Sequence, residues 1–539
     1  MNIFKRIAAA VLVCCTLLTY TACRDKDGSG ATFKYDIAYN PGSLDPQTAD
    51  DENSDLIIAC MFKGLLTAQP DGSLAAGVAQ DYTVSEDGMV YTFTLREDIY
   101  WTDKGDFEAQ CTAHDFVFAF QRLFDPDTRA ARAADYFCIK NAELISRGYI
   151  PDKSQLGVKA LGDFVLEITL AYPNPQFPVL LTQTPAMPCS EEYFTLSKGK
   201  YGLYADATPS NGAFYIHTWD YDPYSKTDNN YIILRRNAKN SETDRVYPSG
   251  LNFFIVDSAR FTDDFNSGVT SCIAVTDAQT ALIGGEATVQ SFSNISVGLT
   301  FNMRYELLSN ADFRRALASL VDYEALADNL DGYDMPQGVV PFGVTLLDQS
   351  YREYAGEVAS GYSAEKAEYY YSLAESKIDK NQLVGARIIL PDDTMLGAVS
   401  EIMQAWQAQL GFYCRVEVLS PEDYLSRLQS GDYEIAVTEL NGGYNSPEAY
   451  LKPFTSGSSE NYGGYADKQL ERLISLAGRA VELSESADYY AQAEQLVISG
   501  AAFIPLCCKN VYFYVGEDMC DISYNPFTKT IDFSSAKKF

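Results

Sequence analysis

A strand–helix–strand unit in the second half of the chain constrains the fold more than any other feature. Residues 413–418 have the pattern of a strand, residues 421–429 that of a helix, and residues 433–438 that of a second strand. A helix that connects two strands favours a crossover with parallel pairing. The unit therefore predicts an α/β lobe in this half of the chain.

The first half has a different pattern, with hairpins and short amphipathic helices. Turn residues at 85–88 and at 162–163 predict two β-hairpins, and Thr112 to Asp115 form a capping box that opens a helix ending at Leu123. The other predicted elements are strands at 32–39 and 503–506, and helices at 54–66, 395–410 and 485–499. Together the two halves predict a mixed α/β protein of more than one lobe.

The N-terminus has the parts of an export signal. Lys5 and Arg6 precede the mostly apolar run Ile7–Leu18, and small residues lead to Cys23. The run is too short to cross a bilayer, which needs about 20 apolar residues, so residues 1–22 are interpreted as a signal peptide. Either Cys23 is an incidental thiol, or residues 20–23 form a lipobox and Cys23 carries a lipid. The polar residues 23–30 favour the second interpretation, because they suit a flexible tether.

Charge and cysteine content exclude several classes of protein. A net charge of −32 argues against nucleic-acid binding and against electrostatic adhesion to anionic lipid. Nine cysteines remain after Cys14, Cys15 and Cys23 are set aside, an odd number that suggests buried thiols rather than a dense disulfide framework. No spacing of these residues predicts a metal site, and no cofactor is expected.

A search for catalytic motifs finds none. The two histidines, His114 and His217, are interpreted as structural or surface residues, and the chain has no nucleophile elbow, no phosphate-binding loop and no zinc-protease motif. A carboxylate pair for glycoside hydrolysis stays open, because 73 acidic residues offer many pairs. The sequence therefore favours a binding protein over an enzyme.

A series of short motifs runs along the chain. The motifs are Asn40–Pro46, Phe62–Leu66, Asp71–Gly72, Gly77–Ala79, Asp87–Phe93, Trp101–Asp103, Thr112–Pro126, Leu156–Leu170, Asn211–Phe214, Leu234–Asn237, Asn310–Leu326, Asn445–Pro447 and Phe503–Leu506. Each motif is weak alone, but their order is specific. In these motifs and their order the chain resembles, over nearly its whole mature length, the family 5 extracellular solute-binding proteins, the oligopeptide- and dipeptide-binding components of ABC importers.

The resemblance implies a two-lobed clamp of type II, with mixed sheets and an extra inserted domain. Domain I would combine residues 24–55, 186–290 and 505–539, domain II would be residues 56–185, and domain III would be residues 291–504. A monomeric lipoprotein anchored outside the cell membrane through Cys23 would bind a peptide between the lobes and deliver it to a permease.

The resemblance also implies ligand-binding positions. These are Asp50, Glu52, Tyr136, Glu439, Leu440, Asn441 and Tyr444. Gly443 stands where oligopeptide-binding members carry the aspartate that pairs with the ligand's terminal ammonium. The ligand is therefore expected either to lack a buried free amine or to find another carboxylate, Glu439 first and then Asp50 or Glu52. A slip of the alignment in this glycine-rich stretch is the simpler alternative.

Three other functions stay open at this point. Within the family, saccharides and other solutes are also bound. A sensor without transport duty would have the same sequence pattern, and an extracytoplasmic glycosidase would differ by turnover of its substrate.

Overall fold

The computed structural model describes residues 30–224, 230–240, 245–330, 332–347, 349–358 and 361–539. The predicted signal peptide and Cys23 lie outside these residues. Within them, the chain combines mixed sheets with helices, in agreement with the predicted α/β class.

The first lobe contains two four-stranded sheets. In the N-terminal sheet the strands stand in the order Thr32–Ile37, Gly250–Ile255, Tyr231–Arg236 and Phe214–Asp220, with the first pair parallel and the others antiparallel. The second, antiparallel sheet has the order Ala79–Val84, Val90–Leu95, Val165–Thr169 and Val158–Gly162. Both predicted hairpins are present in this second sheet.

The helix Ala113–Leu123 packs on the second sheet and begins as the sequence predicts. The backbone N–H of Thr112 donates to Asp115 Oδ2 over 2.7 Å, which completes the capping box. Tyr91, Phe93 and Leu95 alternate along their strand and are buried, as expected for one face of a hairpin.

A six-stranded sheet connects the two lobes. Its strands stand in the order Cys272–Thr276, Phe503–Gly516, Ala287–Phe301, Ile435–Leu440, Val384–Leu390 and Tyr413–Val418. The last two are parallel, and Val384–Leu390 is also parallel to Ile435–Leu440. The predicted strand–helix–strand unit is present, with its helix at Pro421–Ser430, but the strand Val384–Leu390 lies between its two strands.

Two long strands carry the chain from one lobe to the other, and we call them the crossing strands: Ala287–Phe301 and Phe503–Gly516. They pair antiparallel along most of their length, with register shifts after Ser293 and after Val297. The predicted domain boundaries at 290/291 and 504/505 fall inside these strands. The lobes are therefore joined by paired backbone rather than by a flexible linker.

The other elements are short, and most of the longer helices lie in the second lobe. Two-stranded sheets pair Leu66–Ala68 with Leu74–Ala76, Tyr100–Thr102 with Glu108–Gln110, Thr345–Leu346 with Gln349–Ser350, Met519–Cys520 with Lys537–Lys538, and Ser523–Asn525 with Thr530–Asp532. The remaining α-helices are Glu52–Met61, Ala142–Ser146, Phe177–Leu180, Glu191–Leu196, Phe261–Asn266, Asp277–Thr280, Glu306–Ser309, Ala311–Ala318, Tyr323–Ala327, Tyr351–Ala355, Ala364–Ala374, Leu396–Leu410, Pro447–Leu451, Lys468–Ala477 and Leu483–Ser499. Short 3₁₀ turns occupy 133–136, 153–155, 184–186, 205–207, 258–260, 375–377, 380–383 and 452–454.

The cysteines that remain after the export segment are largely part of the core. Seven of the nine are buried, and Cys414 and Cys520 are half-buried. Burial raises the pKa of the Cys189 thiol to about 12, so this group is a neutral packing residue at ordinary pH.

A buried ion pair fastens the helix Ala113–Leu123 to the N-terminal loop. The Arg122 guanidinium donates to both carboxylate oxygens of Asp45 and, over 2.7 Å, to Gln47 Oε1. Its Cζ atom lies 4.1 Å from the centre of the Phe194 ring. Two motifs of the sequence, Asn40–Pro46 and Thr112–Pro126, are thus partners in space.

Candidate functional site

A cavity of about 780 Å³ lies between the two lobes. We call it the interlobe cavity. Its first wall comes from the first lobe and the C-terminal segment, at residues 50–59, 132–135, 182–187 and 527–530; its second wall comes from residues 438–444, 449–465, 300 and 502. The volume is within the usual range for small-ligand sites, about 300–1,000 Å³.

The first wall is built around the start of the helix Glu52–Met61. Asp51 caps this helix: its carboxylate accepts from the backbone N–H of Ser54 over 2.9 Å and from that of Gly42 over 3.1 Å. The N-cap therefore ties the Asn40–Pro46 motif to the helix that lines the cavity. The preceding residue, Asp50, is exposed to the cavity.

The second wall is the end of the strand Ile435–Leu440 and the glycine-rich turn after it. Thr438 Oγ1 lies 2.6 Å from Thr300 Oγ1 on the neighbouring crossing strand. A Cβ atom at Gly442 would lie 2.5 Å from the Tyr450 ring, so this position requires glycine. A Cβ atom at Gly443 would meet nothing within 4 Å, so a side chain there would have room.

Seven carboxylates and three cationic side chains line the interlobe cavity, and each of the three cations is already paired. Arg132 lies 3.0 Å from Asp55, Lys452 lies 3.1 Å from Asp135, and Lys529 lies 2.5 Å from Glu52. Burial raises the pKa of the Asp55 carboxyl, although Arg132 opposes this shift. Asp50 and Glu460 belong to no ion pair among the residues described, so the cavity carries an excess of negative charge.

Six of the seven predicted ligand-binding residues line this cavity: Asp50, Glu52, Glu439, Leu440, Asn441 and Tyr444. Tyr136 does not. Its side chain is 1% exposed, packs on Phe120, and donates its hydroxyl proton to Leu180 O over 2.9 Å. The preceding residue, Asp135, lines the cavity instead, together with Arg132.

The structure also disfavours Glu439 as the replacement amine anchor. Its carboxylate forms an ion pair with the mostly buried Lys509 of the other crossing strand, Phe503–Gly516, which lies two strands away in the sheet. A carboxylate that is already neutralised offers little attraction to a ligand ammonium. Asp50 is the remaining candidate of the three, because Glu52 is held by Lys529.

Two side-chain contacts join the lobes. Lys452 of the second lobe lies 3.1 Å from Asp135 of the first, and the Arg479 Cζ atom lies 4.2 Å from the centre of the Tyr172 ring. Although burial opposes the charged form, the carboxylates of Asp135 and Glu448 raise the pKa of Lys452, so it stays charged. An ion pair and a cation–π contact therefore link the lobes in the described arrangement.

Several lining residues carry no signal that sequence reasoning could have used. Arg132 and Asp135 belong to one 3₁₀ turn and Lys452 to a distant segment, and only the fold brings them together. His114 and His217 do not line the cavity: both are exposed, His114 beside Asp163 at 3.4 Å and His217 beside Thr218 at 2.8 Å.

Two general searches of the described residues are also informative. They include no helix that is both long and apolar enough to cross a membrane. The same residues hold no cluster of three or more His, Cys, Asp or Glu side chains that could bind a metal ion.

Comparisons with known proteins agree with this architecture. "Bacterial extracellular solute-binding proteins, family 5 Middle" matches residues 73–462. The "Probable deoxycholate-binding periplasmic protein YgiS" of Escherichia coli is 25% identical, over 88% of this chain and 87% of its own. The oligopeptide-binding protein OppA of Bacillus subtilis is 24% identical, over 91% of this chain and 89% of its own.

Solved structures give the same fold. OppA of Listeria monocytogenes bound to peptide superposes with a TM-score of 0.71 at 22% identity, over 94% of this chain and 99% of that one. This likeness confirms the predicted type II clamp with an extra domain. The chain belongs to family 5 of the bacterial extracellular solute-binding proteins, and is thus an extracytoplasmic, non-enzymatic, solute-binding component of an ABC importer.

Proposed function

We propose that this protein binds peptides in the interlobe cavity and delivers them to its permease as a monomer. The observation that carries the proposal is the pairing of a strand end, Thr438–Gly443, with an acidic opposite wall around Asp50. An extended peptide can align its backbone with a strand end, and its terminal ammonium is attracted by unpaired carboxylates. Peptide binding also appears in the names of several relatives.

Deoxycholate is the second candidate ligand, because one relative is named for it. Its carboxylate would need a cationic partner. The three cations of the cavity are already paired, and Asp50 and Glu460 add negative charge. Burying a ligand whose only charge is negative beside unpaired carboxylates is unfavourable, whereas a peptide also brings an ammonium group, so the charge of the cavity favours a peptide.

Thermal unfolding in the presence of ligand tests the proposal. A short peptide at about a hundredfold its dissociation constant should add about 2.7 kcal/mol to the stability of the protein, and mass spectrometry should recover the peptide intact. Deoxycholate under the same conditions should give no shift. A shift with deoxycholate or with sugars but with no peptide would refute peptide binding.

The amine anchor can be tested separately. We expect Asp50→Asn to weaken binding of a free-amine peptide by about tenfold, or about 1.4 kcal/mol, and to leave the N-acetylated peptide unaffected. Glu439→Gln should leave the preference for the free amine in place, because Lys509 already neutralises this carboxylate. Isothermal titration calorimetry measures both. A preference that survives Asp50→Asn and disappears in Glu439→Gln would show that the anchor is misplaced.

We also propose that Cys23 is acylated and tethers the protein to the membrane. Cys23→Ala should then release the protein from the membrane fraction of cells, while its peptide affinity in solution stays unchanged. Mass spectrometry of the mature N-terminus gives the direct readout. An unmodified first residue other than Cys23 would rule out the lipid anchor.

A further inference from the structure

A second cavity, of about 330 Å³, adjoins the interlobe cavity. We call it the side chamber. It lies between the hairpin of residues 66–76, the turn at 212–213 and the C-terminal segment 523–535. Five residues line both cavities, and they form what we call the neck: Ala59, Thr182, Met187, Thr528 and Thr530. The two cavities therefore meet at one place.

The neck contains no charged side chain. Its threonine hydroxyls are already bonded: Thr528 Oγ1 lies 2.7 Å from Thr530 Oγ1, and Thr182 donates to Val179 O over 2.8 Å. Met187 is unbranched and can adapt to different neighbours. The neck therefore presents neither a charge nor an unbonded threonine hydroxyl to a ligand.

The two cavities differ in charge. Seven carboxylates and three cations line the interlobe cavity, whereas Lys63 and Asp532 are the one cation and the one carboxylate that line the side chamber. A positively charged ligand group is stabilised in the interlobe cavity and has little to gain in the side chamber. A ligand that fills both would place its ammonium group in the interlobe cavity and a neutral segment in the side chamber.

Small residues leave room in the side chamber, and its far end is open. Gly64, Ala75 and Ala76 line it, and the Asp532 and Ser535 side chains at its rim are exposed to solvent. The open end sets no fixed limit on ligand length. An extended peptide advances about 3.3–3.6 Å per residue, so a few added residues are enough to leave the first cavity.

We propose that the side chamber is a second part of the ligand site, and that it selects extended peptides too long for the interlobe cavity alone. The N-terminal amine lies in the interlobe cavity, and the later residues pass the neck into the side chamber. This inference rests on the proposed peptide-binding function.

A peptide length series tests it. Isothermal titration calorimetry is performed with peptides from dipeptide to nonapeptide that share their N-terminal residues and add only uncharged ones. Ala76 lines only the side chamber and is exposed, so Ala76→Phe narrows that chamber without touching the interlobe cavity. We expect this variant to lower the affinity for the longest peptides by about tenfold, the equivalent of about 1.4 kcal/mol, and to leave the affinity for the shortest peptides unchanged.

Two further variants sharpen the result. Ala59→Phe, on the exposed face of its helix, fills the neck and should weaken long peptides more than short ones. Ala408→Phe makes the same change on another exposed helix, lines neither cavity, and should change nothing.

The outcomes separate the two proposals. If wild-type affinity does not depend on length, or if Ala76→Phe and Ala59→Phe do not discriminate between long and short peptides, the side chamber is not part of the site. Binding of no peptide at all by the wild type would overturn the proposed function, and this inference with it.

Discussion

Arg122→Met should lower the free energy of unfolding of the first lobe by about 3–5 kcal/mol. The variant leaves the Asp45 carboxylate buried without its counter-ion, and it also removes the donor to Gln47 Oε1. Both residues are almost fully buried, so water cannot replace the guanidinium. Urea denaturation followed by tryptophan fluorescence measures the change, because Trp101 is buried in this lobe.

Two control variants identify the cause of this loss. Arg147→Met removes an exposed i,i+4 pair with Glu143 and should cost no more than about 0.5 kcal/mol. Adding Asp45→Leu to Arg122→Met should recover part of the stability, because the uncompensated charge is gone. A double variant as unstable as the sum of the two single variants would show that packing, not charge, holds this position.

Most of the strands and helices that local patterns predict are present in the structure. The strand Tyr413–Val418 has its predicted bounds, because Gly411 ends the helix directly before it. The strand predicted at 433–438 begins two residues later, at Ile435. The Tyr433 carbonyl accepts a hydrogen bond from the Asn302 side chain, which is 131 positions away in the sequence. Local patterns around Tyr433 could not predict such a distant partner.

Strand order was beyond local patterns for a related reason. The strand Val384–Leu390 stands between the two strands of the predicted unit, and its pairing depends on backbone contacts with both. The predicted lobe boundaries fell inside the crossing strands, because each of these strands continues through both lobes as one regular element. A boundary within a strand leaves no mark in composition.

Sequence reasoning placed residues at the interlobe cavity better than it predicted the charge available there. The turn after Leu440 lines the cavity as expected, since it follows a strand end. Neither the neutralisation of Glu439 nor the burial of Tyr136 could be inferred, because each depends on a distant partner: Lys509 for the first and Leu180 O for the second. The charge available to a ligand is a property of such pairs, not of single residues.

A second buried arginine is held entirely by backbone oxygen atoms. Arg314 is 3% exposed, and its guanidinium donates to the carbonyls of Leu308, Ser309, Gly500 and Ala501 at 2.7–3.0 Å. These carbonyls lie at or just beyond the C-terminal ends of the helices Glu306–Ser309 and Leu483–Ser499, where helix dipoles favour a positive charge. Burial lowers the pKa of Arg314 to about 10, so the side chain stays protonated at neutral pH.

Arg314→Met should therefore destabilise the second lobe by about 3 kcal/mol or more, because it leaves several buried carbonyls without a donor. The stability of Arg314→Lys should lie between that of Arg314→Met and that of the wild type, since an ammonium group cannot reach all four carbonyls. Arg315→Met is the comparison on the same helix: Arg315 donates to Ser499 O and pairs with Asp312, but both contacts are open to solvent, so its loss should cost about 1 kcal/mol or less. The fluorescence of Trp406, whose indole N–H donates to Leu317 O at the end of this helix, reports the transition. Equal losses for Arg314→Met and Arg315→Met would mean that the buried carbonyls find other donors, and that this arginine is not what joins the two helix ends.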